Sequence, residues 1–325
     1  MKVLITGATG FLGYYIVDRL AQDSVQIVAM GRNSHRGNKL VRPNVTFFQG
    51  DFTNIDQLRL AMKEVTHVIH AGALSSAWGQ WDDFYHTNVL GTQNILDLCR
   101  EFKVHRLVYI SSPSIYAAKK DHMNIQEDEF NPENDLNYYI QSKILSEQLF
   151  QQYPDVASVI LRPRAIIGIG DTSVVPRLLQ VNKKIGIPLF QKGENLIDVS
   201  CVENVAYAIQ LALFKPQAVG KTYNVTNGDP RPFKELLDLF FNQLDTPAKY
   251  RQLPYRTIDK VAEWLEFFYK RLNIKKEPPI TPYTLTTIAF SQTLDITTIE
   301  KDLGYHSIIS LEEGVVKYAS YYNKY

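Results

Sequence analysis

Val3-Leu4-Ile5-Thr6-Gly7-Ala8-Thr9-Gly10-Phe11-Leu12-Gly13 is the stretch on which the reading of the chain turns. A short apolar run passes into a turn with glycine at positions 7, 10 and 13, and residues 14–20 then carry apolar side chains at helical spacing. A glycine-rich turn between a strand and a helix is the context in which a dinucleotide is held. Gly7 permits the tight turn, Gly10 lets the backbone approach a pyrophosphate, and Gly13 lets the helix lie close on the sheet. The helix N-terminus adds free N–H groups and a positive dipole for the phosphates. Thr9, Phe11 and Leu12 share this turn and count with the three glycines as cofactor contacts.

Downstream the pattern repeats. Apolar runs at 26–30, 45–48, 67–70, 107–110 and 156–161 read as strands, with helices at 55–62, 83–102 and 139–153. Apolar strands separated by helices imply a parallel sheet covered on both faces. Right-handed crossovers make it a Rossmann-like doubly wound α/β sheet with its ligand at the carboxyl ends of the strands. Arg162-Pro163 ends the last of these strands. Beyond it, loops rich in glycine and proline separate shorter elements, which suits a smaller C-terminal substrate-binding region over 166–325. The expected division is an NAD(P)-binding domain over 1–165, with a helix at 204–214 and a strand at 221–225 as its returns from 198–226.

Composition narrows the partners. The 325 residues are 45% hydrophobic and 21% charged with a net charge of +1, which suits a globular core and gives no argument for nucleic acid or an anionic membrane as the main partner. Cys99 and Cys201 lie one in each half, a usage that fits a reducing compartment. No leader pattern and no apolar stretch of spanning length is visible, so the expectation is a soluble cytoplasmic protein. The 19 Tyr and 16 Phe are spread along the chain rather than interleaved with cations. None of the seven histidines forms a His-x-x-His or His-Glu-x-x-His pattern, so no metal is expected.

The end of the second strand bears on the cofactor. An acidic residue there would bind a ribose 2′-hydroxyl. The segment Met30-Gly31-Arg32-Asn33-Ser34-His35-Arg36 offers Arg32 and Arg36 instead, positive charge that favours NADP(H) over NAD(H). Asp51 either hydrogen-bonds the adenine amine or caps the following helix.

A Tyr-x-x-x-Lys spacing puts two side chains on one helical face, where the ammonium favours the phenolate. It occurs twice, at Tyr116/Lys120 and Tyr139/Lys143. The first directly follows a strand in a loop-like stretch. The second opens a strong helix and lies far enough from Ser112 to converge on it from another element. Tyr139/Lys143 is therefore the expected catalytic pair.

Taken in order, Thr6–Gly13, His70-Ala71-Gly72-Ala73, Asn88-Val89-x-Gly91-Thr92-x-Asn94, Tyr109-Ile110-Ser111-Ser112 and Tyr139-x-x-x-Lys143 resemble the extended short-chain dehydrogenase/reductase superfamily. The resemblance continues through Leu161-Arg162-Pro163-Arg164-Ala165 and Asp198–Ala206 to Asp302-Leu303-Gly304-Tyr305. It implies that Ser112 hydrogen-bonds the substrate oxygen, Tyr139 is the general acid/base, and Lys143 binds the nicotinamide ribose. It also implies cofactor contacts at Phe52, Ala71, Gly72, Ala73, Asn88, Arg162 and Pro163, and a homodimer through the helices at 83–102 and 139–153.

Dehydratases of this superfamily carry an Asp-Glu pair after the hydroxyl residue, where this chain has Pro113-Ser114. That sequence, with Ala73–Gly79, is more similar to the 3β-hydroxysteroid dehydrogenase-like branch. The implied activity is NADP(H)-dependent interconversion of a secondary alcohol and a ketone on a hydrophobic small molecule. The alternative is a nucleotide-sugar 4-epimerase with tightly bound NAD; a dinucleotide sensor would not need Ser112, Tyr139 and Lys143.

One stretch stands apart. Ile258, Val261, Ala262, Leu265, Phe268 and Leu272 share a helical face, with Trp264 and Phe267 beside it and several Lys and Arg nearby. Such a stripe packs on the substrate region; a lid over an apolar pocket and a membrane contact are the functional alternatives.

Overall fold

The structure, a computed structural model, describes residues 1–324. In its first strand, β1 (Lys2–Thr6), Val3 and Ile5 pack in one core with Ile16, Val17, Val205 and Ile209, and Leu4 packs in another with Leu58, Ile95 and Leu98. All three are fully buried. Each such burial contributes roughly 1.5–3 kcal/mol. A strand that feeds two cores cannot alternate apolar with polar, which is why the run is unbroken.

Six further strands complete the sheet: β2 (Gln26–Gly31), β3 (Val45–Gln49), β4 (His67–His70), β5 (Arg106–Ile110), β6 (Ser158–Pro163) and β7 (Thr222–Val225). They lie in the order β7-β6-β5-β4-β1-β2-β3, every pair parallel. The winding reverses between β1 and β4, the place where the crevice of such a sheet opens.

Two elements return from the second half. The helix Val202–Phe214 packs on the helix Phe11–Leu20, where Arg19 Nε donates to Gln210 Oε1 at 2.7 Å. Strand β7 pairs Asn224 with Arg162 and Val225 with Pro163. That pairing carries β6 through Arg162 and Pro163, two residues past its expected end.

The helix expected over 83–102 differs more. It starts as the α-turn Trp81–Phe84, widens into the π-helix Tyr85–Leu90 and resumes as the α-helix Gly91–Glu101. The carbonyl of Asn88 in the wide turn accepts from Thr92 Oγ1 at 2.6 Å and Ser146 Oγ at 2.9 Å.

Past residue 165 a separate core forms around Val175, Ile187, Phe233, Leu237, Phe240 and Val315. It is fed by the helices Val174–Lys184, Phe233–Gln243 and Leu311–Tyr322. A cavity of about 640 Å³ is lined both by this core and by residues at the carboxyl ends of β5 and β6.

Candidate active site

The crevice begins at Gly7. Its φ of +70° is one an L side chain rarely adopts, and a Cβ there would stand 2.7 Å from the Gly72 nitrogen. The tips of β1 and β4 therefore touch backbone to backbone. A Cβ on Gly13 would lie 2.2 Å from the Gly7 carbonyl oxygen, so the first turn of the helix Phe11–Leu20 closes onto the loop. No side chain caps that helix at Gly10. Its first-turn amides are left for an anion, and the cradle fits a dinucleotide pyrophosphate.

Polar groups behind the loop are fixed in place. His70 accepts or donates at Thr6 Oγ1 (2.7 Å) and Thr92 Oγ1 (3.2 Å), and burial lowers its pKa to about 3, so it is neutral. Phe52 packs edge-on against His70 at 5.0 Å and fills the notch at Gly72 and Gly91.

At the end of β2, Arg32 is 80% exposed and stands 3.7 Å from Asp51; Arg36 is exposed. Asp51 does not cap the next helix. Its Oδ1 accepts from the Thr53 N–H and hydroxyl, and Asn54 supplies the cap.

Ser112 follows β5 and caps the short 3₁₀ turn Pro113–Tyr116 through its Oγ, which accepts from the Ser114 N–H at 3.2 Å. Tyr139 lies in the first turn of the helix Tyr138–Leu149, which is capped by Asn137 accepting from the Ile140 N–H at 2.8 Å. Both Ser112 and Tyr139 line the cavity. One turn on, Lys143 is 2% exposed. Its Nζ donates to the Ile110 carbonyl at 2.9 Å and the Tyr109 hydroxyl at 3.1 Å. Burial pulls its pKa down, and the charges of Tyr139 and Glu147 oppose that pull.

The competing pair is not built for this chemistry. Tyr116 is buried in a 3₁₀ turn, donates to Asn224 Oδ1 at 2.9 Å and accepts from Arg162, while Lys120 is exposed.

Two expected cofactor contacts have other occupations. Asn88 accepts from the Leu74 N–H at 2.7 Å and donates to the Leu74 carbonyl and Ser142 Oγ, clamping the loop after β4 to the Tyr139 helix. Arg162 forms a buried bidentate pair with Glu147 and also donates to Tyr116 and the Glu127 carbonyl. Both act as braces behind the crevice. Pro163 lines the cavity.

The cavity wall is mainly aliphatic and aromatic, with Val174, Leu178, Leu236, Phe240 and Ile288 among its members. Three arginines also line it: Arg177 pairs with Glu277 and Arg251 is exposed, while Arg164 is buried. It is 7% exposed, gives one hydrogen bond, to Gln292 Oε1, and its Nε has no partner. Among the described residues no carboxylate comes within ion-pair distance of it. Burial lowers its pKa; Asp198 acts on it through its field, and burial pushes that carboxyl up to about 6. Tyr283, which burial pushes up to about 12, lies in the fields of both Tyr139 and Arg164. The motif Leu161–Ala165 does not set Arg164 apart; its burial and lack of an ion-pair partner arise from packing.

The model of the NAD dependent epimerase/dehydratase family matches residues 3–226. The chain belongs to that family. Within it, the sequence is 33% identical to YbjS of Escherichia coli K12 over 99% of this chain and 97% of that one. It is 30% identical to a 2-alkyl-3-oxoalkanoate reductase of Shewanella oneidensis, covering 96% of this chain and 84% of the relative. A sterol-4-alpha-carboxylate 3-dehydrogenase of Mus musculus is 28% identical over 97% of this chain and 89% of its own. This epimerase/dehydratase-family chain thus falls in the 3β-hydroxysteroid dehydrogenase-like branch and is an NAD(P)-dependent oxidoreductase. Among solved structures, UDP-glucuronic acid 4-epimerase of Bacillus cereus with UDP-glucuronic acid and NAD superposes with a TM-score of 0.79 over 100% of this chain and 99% of that one. At 20% identity it shares the fold.

Proposed function

We propose that the protein interconverts a 3-hydroxy and a 3-oxo acid bearing large apolar substituents, with NADP(H) as its cofactor. The observation that carries this reading is Arg164, buried without an ion-pair partner in a mainly apolar cavity that also holds Ser112 and Tyr139. Buried charges are paired, and a lone guanidinium calls for an anion from the substrate. The named relatives supply a consistent chemistry. A 2-alkyl-3-oxoalkanoate and a sterol 4-carboxylate both carry the carboxylate on a carbon next to the oxygen-bearing carbon 3.

The residue roles follow from position. Gly7, Gly10 and the amides of Phe11–Leu12 hold the pyrophosphate. Arg32 and Arg36 attract a 2′-phosphate; the Arg32–Asp51 pair is so exposed that it is worth about 1 kcal/mol or less and yields to one. When bound, the cofactor supplies the hydride in reduction and accepts it in oxidation. Tyr139 donates the proton to the carbonyl oxygen or removes it from the carbinol. Ser112 hydrogen-bonds that oxygen. Lys143, anchored on Ile110, holds the ribose and stabilises negative charge on Tyr139.

The test is an assay of the purified protein against 2-alkyl-3-oxoalkanoates, the matching uncharged ketones and UDP-glucose, with NADPH and NADH. The acids are expected to be reduced fastest, and NADPH to be preferred. Conversion of UDP-glucose to UDP-galactose with no net cofactor turnover would replace this reading with the epimerase one.

A further inference from the structure

The helix Tyr255–Arg271 was expected to bury its apolar stripe, yet Ala262 is its only fully buried side chain. Trp264, Phe267 and Leu272 are 65%, 60% and 67% exposed, and Val261 and Phe268 are each 48% exposed. At 3.6 residues per turn, these five and Arg256, Lys260 and Arg271 fall within one arc of about 160° that contains no carboxylate.

The acids of the segment lie outside that arc, and each has an ion-pair partner within the chain. Asp259 and Glu263 both pair with Lys119, at 2.8 and 2.6 Å, Glu266 with Lys270 at 2.6 Å, and Glu277 with Arg177 at 2.5 Å. Among the described residues, Arg256, Lys260, Arg271, Lys275 and Lys276 have no ion-pair partner. The patch is also continuous with the cavity. Ile258 and Val261 of this helix line it, as does Ile185, itself 58% exposed.

We propose that this helix seats the protein on an anionic phospholipid surface, lying in the plane of the headgroups with the cavity mouth turned to the bilayer. Aromatic and leucine side chains flanked by unneutralised cations match the boundary between headgroups and acyl chains. A second copy of the chain is the poorer occupant, because a two-fold contact through this arc brings two such sets of cations together. Among the described residues no helix is long and apolar enough to cross a membrane, so the contact is peripheral. It lets a water-insoluble compound pass from the acyl layer into the cavity without crossing water. The proposal holds whichever substrate the cavity takes.

Vesicle flotation of the full chain tests it without using activity. The probes are vesicles of phosphatidylcholine alone and of phosphatidylcholine mixed with phosphatidylglycerol. The protein is expected to float with the mixed vesicles and far less with the neutral ones. Lys275→Ala and Lys276→Ala should each weaken binding to the mixed vesicles about fivefold. A Trp264→Ser/Phe267→Ser variant should weaken it tenfold or more. All these positions are exposed, so circular dichroism should be unchanged. Failure of the parent protein to bind either vesicle would overturn the proposal, as would variants that bind like the parent. A dimer seen by light scattering that the Trp264→Ser/Phe267→Ser change converts to monomer would overturn it in favour of a second copy.

Discussion

The crevice at β1 and β4 and the cavity behind Tyr139 meet at one site but recognise by different means. In the crevice the contacts are made by backbone, and the tolerance is a few tenths of an ångström: a single methyl at Gly7 or Gly13 has no room. In the cavity about 640 Å³ is lined mainly by apolar side chains, with one buried cation, Arg164, that has no ion-pair partner. Apolar walls discriminate weakly between similar shapes, by about 1–3 kcal/mol per methylene, whereas an unpaired buried charge rejects a ligand that cannot meet it. On the proposed reading, one region serves a single cofactor and the other a class of substrates that share an anion.

The contrast can be broken or sharpened by substitution. The largest effect is expected where the regions join. Tyr139→Phe should lower turnover by about 10³-fold while leaving cofactor affinity, measured by fluorescence titration, within about twofold. Loss of cofactor affinity in parallel would place Tyr139 in the crevice's binding set instead.

Next, Arg164→Leu should raise KM for 3-oxo acids on the order of 10²-fold and change KM for the matching uncharged ketones little. Stability to urea should not fall, because the substitution removes a buried charge that lacks a partner. An equal loss on both substrates would assign Arg164 to packing.

The smallest effect concerns Asp198. Its folded pKa is raised by burial to about 6, so the folded state holds its proton more tightly than the unfolded chain does. The stability this contributes is present below about pH 4 and is lost as pH rises through 6. Asp198→Asn removes that titration. The stability of the parent relative to the variant should therefore decline by about 1–3 kcal/mol between pH 4 and 7, read from urea midpoints at each pH. A difference independent of pH would mean that the carboxyl stays ionised throughout.

How far the sequence went divides along the same line. The loop at Gly7–Gly13, the strands β1 to β5 and the placing of Tyr139 and Lys143 one turn apart on a helix follow from patterns within a few residues, and these were legible. The motifs assign Arg162 and Asn88 to the cofactor, but their partners, Glu147 in one case and Leu74 with Ser142 in the other, come from elements 14 or more residues away. The isolation of Arg164 could not be read at all, because it depends on what fails to approach from the whole second half. The Tyr255–Arg271 helix shows the opposite limit. Its amphipathic spacing was visible, yet spacing does not say whether protein or something else covers the face.

The π turn at Tyr85–Leu90 has a meaning beyond its contacts. Such a turn is an α-helix with one residue too many. One residue fewer would let the chain run as a regular helix from Trp81 to Glu101, with the apolar faces of both flanks still in phase. The extra residue falls in the turn that carries Asn88. It shifts the phase of the helix at Asn88, and with it the anchor of the loop carrying Ala71, Gly72 and Ala73. The turn is a spacer that trades helical regularity for the position of a loop.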